Sequence, residues 1–102
     1  MIQTVEVIIK NGLNITKDAL LVYPKKTLYI NRQKYQVEDS FIEEFLQTIY
    51  PWKNEYGEDG NIDSEEFIVI VKTKEGTEQF HGKGIYPHNY ESLKELLEEE
   101  ND

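Results

Sequence analysis

From Thr4 to Lys10 apolar and polar residues alternate, with Val5, Val7 and Ile9 on one side and Thr4, Glu6, Ile8 and Lys10 on the other. A period of two is the mark of a half-buried strand. Asn11-Gly12 signals a turn, Leu13 to Asp18 reads as short strand or loop, and Ala19 to Tyr23 reads as a second strand ended by Pro24. Thr27 to Val37 predicts a small hairpin. Its turn centres on Asn31-Arg32 or Arg32-Gln33, and either register leaves Leu28, Ile30, Tyr35 and Val37 on one face. The period then changes. Phe41, Ile42, Phe45, Leu46 and Ile49 form the stripe of an amphipathic helix, with Ser40 and Glu43 as a capping box and Pro51 as its stop.

Residues 51–62 read as a polar loop. Phe67 to Val71 is β-branched and apolar on both faces, which predicts a central strand. Glu75-Gly76 turns it back, and pairing Lys74 with Thr77 sets Val71 opposite Phe80 and Ile70 opposite His81. Gly82 and Gly84 break that strand. Asn89 then caps a last helix striped by Tyr90, Leu93, Leu96 and Leu97, and residues 99–102 read as an acidic, frayed tail.

The order β-β-β-β-α-β-β-α predicts an α+β fold: a single domain over residues 1–98, a two-layer sandwich of two helices on one face of a mostly antiparallel sheet of about five strands. If Phe67, Val69, Val71 and Phe80 face the helices, Ile8, Ile68, Ile70 and His81 lie on the opposite side, as an apolar strip rimmed by Lys10, Lys72 and Gln79. Such a strip on an uncovered face is a candidate binding surface.

Composition narrows the function. With 38 % apolar and 12 % aromatic residues, 102 residues suffice for one packed core. No apolar run approaches the ~20 residues of a membrane span, and the first residues lack a signal-peptide pattern. The chain has no cysteine, which removes disulfides and thiolate chemistry and suits a cytoplasmic setting. The formal charge of −9 divides into +4 over residues 1–36 and −13 over residues 37–102. An acidic surface repels phosphates, so direct nucleic-acid binding is not expected; the charge serves solubility, or it forms an acidic face that docks on a basic protein partner, and no membrane partner is expected.

No motif assembles a catalytic set. Placing Gly60 at the sixth position of a calcium loop puts Asp59, Asp63 and Glu66 at ligand positions, but Glu55 and Gly57 fall where aspartate-type ligands belong. A turn leading into a strand is the plainer reading. His81-Gly82-Lys83-Gly84 lacks phosphate-loop spacing, and reads more simply as a bulge or a close backbone approach. His81 and His88, seven residues apart, have no short metal-ligand spacing. Neither metal nor other cofactor is expected. Trp52 and Tyr56 cluster with Tyr50 after the first helix; they are candidate interface anchors, or Trp52 folds back over the helix end.

Three blocks, Tyr29–Tyr35, Trp52–Gly57 and Gly82–Tyr90, resemble small uncharacterised domains of low-GC Gram-positive bacteria and their mobile elements. The most specific piece is a Gly-x-x-x-Tyr-Pro-x-Asn-aromatic motif running from Gly82 to Tyr90. The resemblance implies a fold and no activity. The expected function is therefore a non-enzymatic protein-interaction module (an inhibitor, immunity-type protein or accessory factor) acting through Ile8, Ile68, Ile70 and His81 or through Trp52 and Tyr56, on a protein partner or on itself. The alternatives are a small-ligand site or enzyme near residues 81–88 and 51–63, and an acidic mimic of nucleic acid.

Overall fold

The structure, a computed structural model, describes residues 2–98; the acidic tail lies outside them. Nine elements follow in order: β1 (Ile2–Asn11), β2 (Asn14–Val22), β3 (Thr27–Ile30), β4 (Gln33–Gln36), α1 (Asp39–Ile49), β5 (Glu55–Glu58), β6 (Glu65–Thr73), β7 (Gly76–Lys83) and α2 (Tyr90–Leu96). The fold is α+β. One mixed sheet of seven strands has the order β4-β3-β2-β1-β6-β7-β5, and every pairing is antiparallel except β5 with β7. Among the described residues no helix is long and apolar enough to cross a membrane.

The period-two alternation sorts the strands as the pattern requires. Val5, Val7, Ile9, Ala19, Leu21, Leu28, Ile30, Phe67, Val69 and Phe80 are buried in one cluster with Ile42, Phe45 and Ile49 of α1 and with Tyr90, Leu93 and Leu97 around α2. Each helix presents its apolar stripe to the same sheet face. Burying such side chains contributes roughly 1.5–3 kcal/mol each, which is what holds the two layers together. The Lys17 ammonium, arriving from β2, donates to the Leu97 carbonyl at 2.9 Å and satisfies an open acceptor at the end of α2.

Several local expectations change. The sheet has seven strands because the polar loop contains β5, and the second strand is longer than expected, running Asn14–Val22 with an irregularity opposite Ile9/Lys10. The β3–β4 turn centres on Asn31-Arg32, both at positive φ (48° and 72°), as a tight primed hairpin turn demands. The β6–β7 register is shifted by two residues: Thr73 pairs with Gly76, Val69 with Phe80 and Ile68 with His81. Thr73 carries the tighter turn by accepting from the Glu75 amide and donating to the Gly76 carbonyl. An even shift keeps every side chain on its predicted face. Helix α1 begins at Asp39, and neither helix has a side-chain cap hydrogen bond, so the capping roles given to Ser40 and Asn89 fall away.

Candidate functional site

Reading the registers across the uncovered face gives three rows. The first runs Asp18, Ile8, Ile68, His81 and Glu55. The next, toward the other end of the strands, runs Lys34, Tyr29, Leu20, Glu6, Ile70 and Gln79. On the other side of the first lies a ladder of alternating charge: Lys10, Glu66, Lys83 and Glu58. Ile8, Leu20, Tyr29, Ile68 and Ile70 therefore form one contiguous apolar strip of half-buried side chains, bounded along one edge by ions. A shallow hollow of about 450 Å³ opens beside it between Glu6, Asp18, Leu20, Tyr29 and Arg32.

His81 ends the first row. Its Nδ1 lies 2.8 Å from Glu55 Oε2 and its Nε2 lies 2.6 Å from Glu66 Oε2. A neutral imidazole has one N–H, so both contacts are hydrogen bonds only when the ring is protonated. Partial burial pulls the His81 pKa down, but the two carboxylates outweigh it and hold the ring above its ordinary value. The His81 hydrogen bond lowers Glu66 against the opposing effect of burial, with Lys10 assisting, and the same ring lowers Glu55. This clamp ties the edge strand β5 to β7 and β6. Beside it the structure supplies backbone bonds from the His81 amide to Asn54 and from the Asp59 amide to Lys83.

The sign of the pH effect follows. A raised histidine contributes stability that is complete below about pH 6.5 and is lost as pH rises through the folded pKa. The lowered carboxylates contribute above about pH 4.5 and lose it as pH falls through their folded values. The clamp is strongest between those limits, and Glu58, Lys10 and Lys83 are the other charges facing it. Thermal melts at a series of pH values should show stability declining above neutrality in the native chain and flat in His81→Gln. Identical profiles for the two would remove the clamp.

Donor atoms of Glu58, Glu66 and His81 fall within 4.8 Å of one another. His88 is not part of this group. Both ring nitrogens are engaged, and Lys10 stands 3.7 Å from Glu66. The cluster neutralises itself without a cation.

The calcium-type loop is organised as a turn. Asp59 accepts from the Asn61 amide and the Ser64 hydroxyl, both of which lower its pKa. Glu55 and Glu66 are turned to His81 rather than to a common centre. The phosphate-loop reading of residues 81–84 also gives way to packing. Gly82 is buried where a side chain would run into the Ile85 carbonyl, the Phe67 ring and Tyr56.

Trp52 is 7 % exposed and packs edge-on to Phe67 and Phe80, with ring centroids at 5.4 and 6.3 Å. Its Nε1 donates to Asn89 Oδ1 at 2.6 Å, while Asn89 Nδ2 donates to the Thr48 carbonyl at 2.8 Å. Asn89 thus bridges the end of α1, the following loop and the start of α2. The fold-back alternative describes Trp52, which is not free to anchor a partner. Tyr56 is half-buried, and its hydroxyl accepts from the Lys53 amide. Tyr50, which the sequence reading did not choose, is the exposed aromatic of this region at 90 %.

Of the alternative site near residues 81–88 and 51–63, the His81 end holds two carboxylates on one imidazole, and the His88 end is a separate hollow. That hollow of about 250 Å³ is lined by aromatic and proline side chains with Lys53, His88 and Asn89, and by no carboxylate. Glu65 accepts from the Tyr90 hydroxyl at 2.7 Å and pairs with Lys94 at 3.1 Å. Burial, then that hydrogen bond, push Tyr90 far above the ordinary phenol range, so it stays a neutral donor. No family model, curated protein or solved structure matches this chain.

Proposed function

We propose that the chain is a non-enzymatic protein-interaction module that binds through the uncovered face of its sheet, in the manner of an inhibitor, an immunity-type protein or an accessory factor of the cytoplasm. The observation that carries this reading is the contiguous strip of Leu20, Tyr29, Ile8, Ile68 and Ile70, held on a rigid sheet beside a charged ladder, with both helices packed on the other face. An apolar centre with a polar, charged rim is the anatomy of a protein interface. Catalysis has no comparable support: the His88 hollow lacks an acid partner, and His81 is locked between two carboxylates.

Ile70→Glu tests the reading. A new carboxylate at the β6 end of the strip should leave the far-ultraviolet spectrum native, because Ile70 faces away from the core. It should weaken capture of any partner retained from the source cells by about 30-fold or more, the loss typical of a buried anchor. Tyr50→Glu, on an exposed site outside the strip, should leave capture unchanged. The reverse pattern, with Tyr50→Glu disabling and Ile70→Glu silent, would place the interface elsewhere.

A further inference from the structure

We propose that the occupant of the open face is a second copy of this chain, packed sheet to sheet about a two-fold axis running along the strands between β1 and β6. The inference rests on the reading of that face as a binding surface and adds the partner. An isologous contact requires that the pattern on the face complement its own mirror order, since each residue on one side of the axis meets the residue across the axis on the other copy.

The registers meet that requirement. Rotation about an axis parallel to the strands keeps each row at its own level and exchanges β1 with β6 and β2 with β7. Ile8 then lies over the Ile68 of the second copy, and Lys10 over its Glu66. One strand further out, Asp18 lies over the second His81, whose two ring nitrogens are engaged by Glu55 and Glu66. Ile8 meets Ile68 at the centre, and on one side of that pair Lys10 meets Glu66. Glu6 falls over Ile70, and its carboxylate shares the flanking hollow with Arg32. Packed sheets cross at about 30°, so this alignment holds best next to the axis, where the Ile8/Ile68 and Lys10/Glu66 pairs stand.

Charge singles out this face for self-association. The chain carries −9, and two copies repel one another across most of their surface. The open face is balanced: Lys10, Arg32, Lys34, Lys72 and Lys83 face Glu6, Asp18, Glu55, Glu58 and Glu66. The excess negative charge therefore lies off it. The molecule is a slab of 39 × 37 × 21 Å, so a broad face offers on the order of 1,000 Å², against the roughly 800 Å² that each partner buries in a standard interface.

Charge exchange across the axis gives a decisive test. Lys10→Glu sets a carboxylate against Glu66 in both contacts of a homodimer, and Glu66→Lys sets an ammonium group against Lys10 in both. Each variant alone should sediment as a monomer at about 100 µM, a concentration roughly a hundredfold above a micromolar Kd, where the native chain is a dimer. An equimolar mixture should recover the dimer, because in the mixed dimer both contacts join opposite charges. The chain lacks cysteine, so Leu20→Cys mixed with Gln79→Cys, one strand further from the axis on each side, supplies a second measurement that leaves the His81 clamp intact: a short bis-maleimide should join unlike chains more than like ones, because like positions lie about three strand spacings apart across the axis.

A monomeric native chain at that concentration overturns the inference, as does a native dimer whose two charge variants fail to recover it on mixing or whose cysteine variants show no preference for unlike chains. The broader reading fails separately. If the native chain is a monomer yet Ile70→Glu abolishes capture of a different protein, the face binds and the second copy is the wrong occupant. If Ile70→Glu alters neither dimer nor capture, the face itself is excluded.

Discussion

Phe67→Ala is expected to destabilise the protein by about 3–5 kcal/mol, the cost of emptying a large buried aromatic site. Phe67 has no exposure, and its ring contacts those of Trp52, Tyr56, Tyr86 and Tyr90, at centroid distances of 5.1 to 6.2 Å. Those partners come from the loop after α1, from β5, from the segment before α2 and from α2 itself. The ring is thus the point at which both ends of the β5–β7 region are fastened to the sheet. Tyr86 and Tyr90 stack on one another at 4.6 Å with their planes 7° apart, so they cannot both swing into the vacated space. A protein of this size has only about 5–15 kcal/mol of stability in all. Urea unfolding of Phe67→Ala against Tyr50→Ala, a change at an exposed site that should cost under about 0.5 kcal/mol, measures the difference. A loss below about 2 kcal/mol would show that the aromatic cluster closes over the gap and does not organise this half of the molecule.

The layer architecture is legible in the sequence because it depends on parity and period, which survive errors of register. The two-residue slip between β6 and β7 illustrates this: pairing Lys74 with Thr77 gives the wrong neighbours, yet Phe80 still faces the helices and His81 still faces outward. The same robustness places Ile8, Ile68 and Ile70 together on the open face. What parity cannot supply is pairing between strands distant in sequence. Strand β5 has one apolar residue in four and no turn joining it to a neighbour; its place is fixed by backbone bonds to β7 and by the Glu55–His81 contact. Its presence makes β7 an interior strand, between β6 and β5.

The candidate site was partly legible for the same reason. His81 could be assigned to a face, but its two carboxylate partners stand 26 and 15 residues away in sequence, and only the finished sheet brings them to one imidazole. Asn89 shows a different limit. Its position before an amphipathic stripe is a good capping signal, and the local pattern contains nothing about Trp52. In the fold the indole N–H, buried with its ring, needs an acceptor, and Asn89 meets that need and the Thr48 carbonyl at once. The tertiary demand outweighs the local one.

Gly82→Ala is expected to cost about 2–3 kcal/mol, at the upper end of what one added methyl does in a packed site. Glycines in a strand otherwise cost stability through lost entropy, and replacing one where φ permits usually helps by about 0.4–1 kcal/mol. Gly82 has no positive φ, so its backbone would tolerate a side chain. The obstacle is space. A methyl there would fall on the Ile85 carbonyl oxygen, 2.7 Å from Phe67 Cε1 and 3.1 Å from Tyr56 Cβ. The Ile85 carbonyl belongs to the backbone that turns toward α2, and the Phe67 ring is wedged among four others, so neither yields cheaply. Gly84 has a different reason for being glycine. Its φ is +77°, and a Cβ there would strike the Asp59 carboxylate, which is held by Ser64 and the Asn61 amide. The two glycines that look like a phosphate loop are thus a close approach of backbone to an aromatic core and a left-handed bend against a fixed turn. Urea unfolding of Gly82→Ala, with amide exchange read at His81 and Asp59, separates packing from ligand binding. Packing predicts lower stability and faster exchange along the β5–β7 seam in buffer without any anion. Native stability in Gly82→Ala would mean the neighbours relax, and the close-packing account of this glycine would fail.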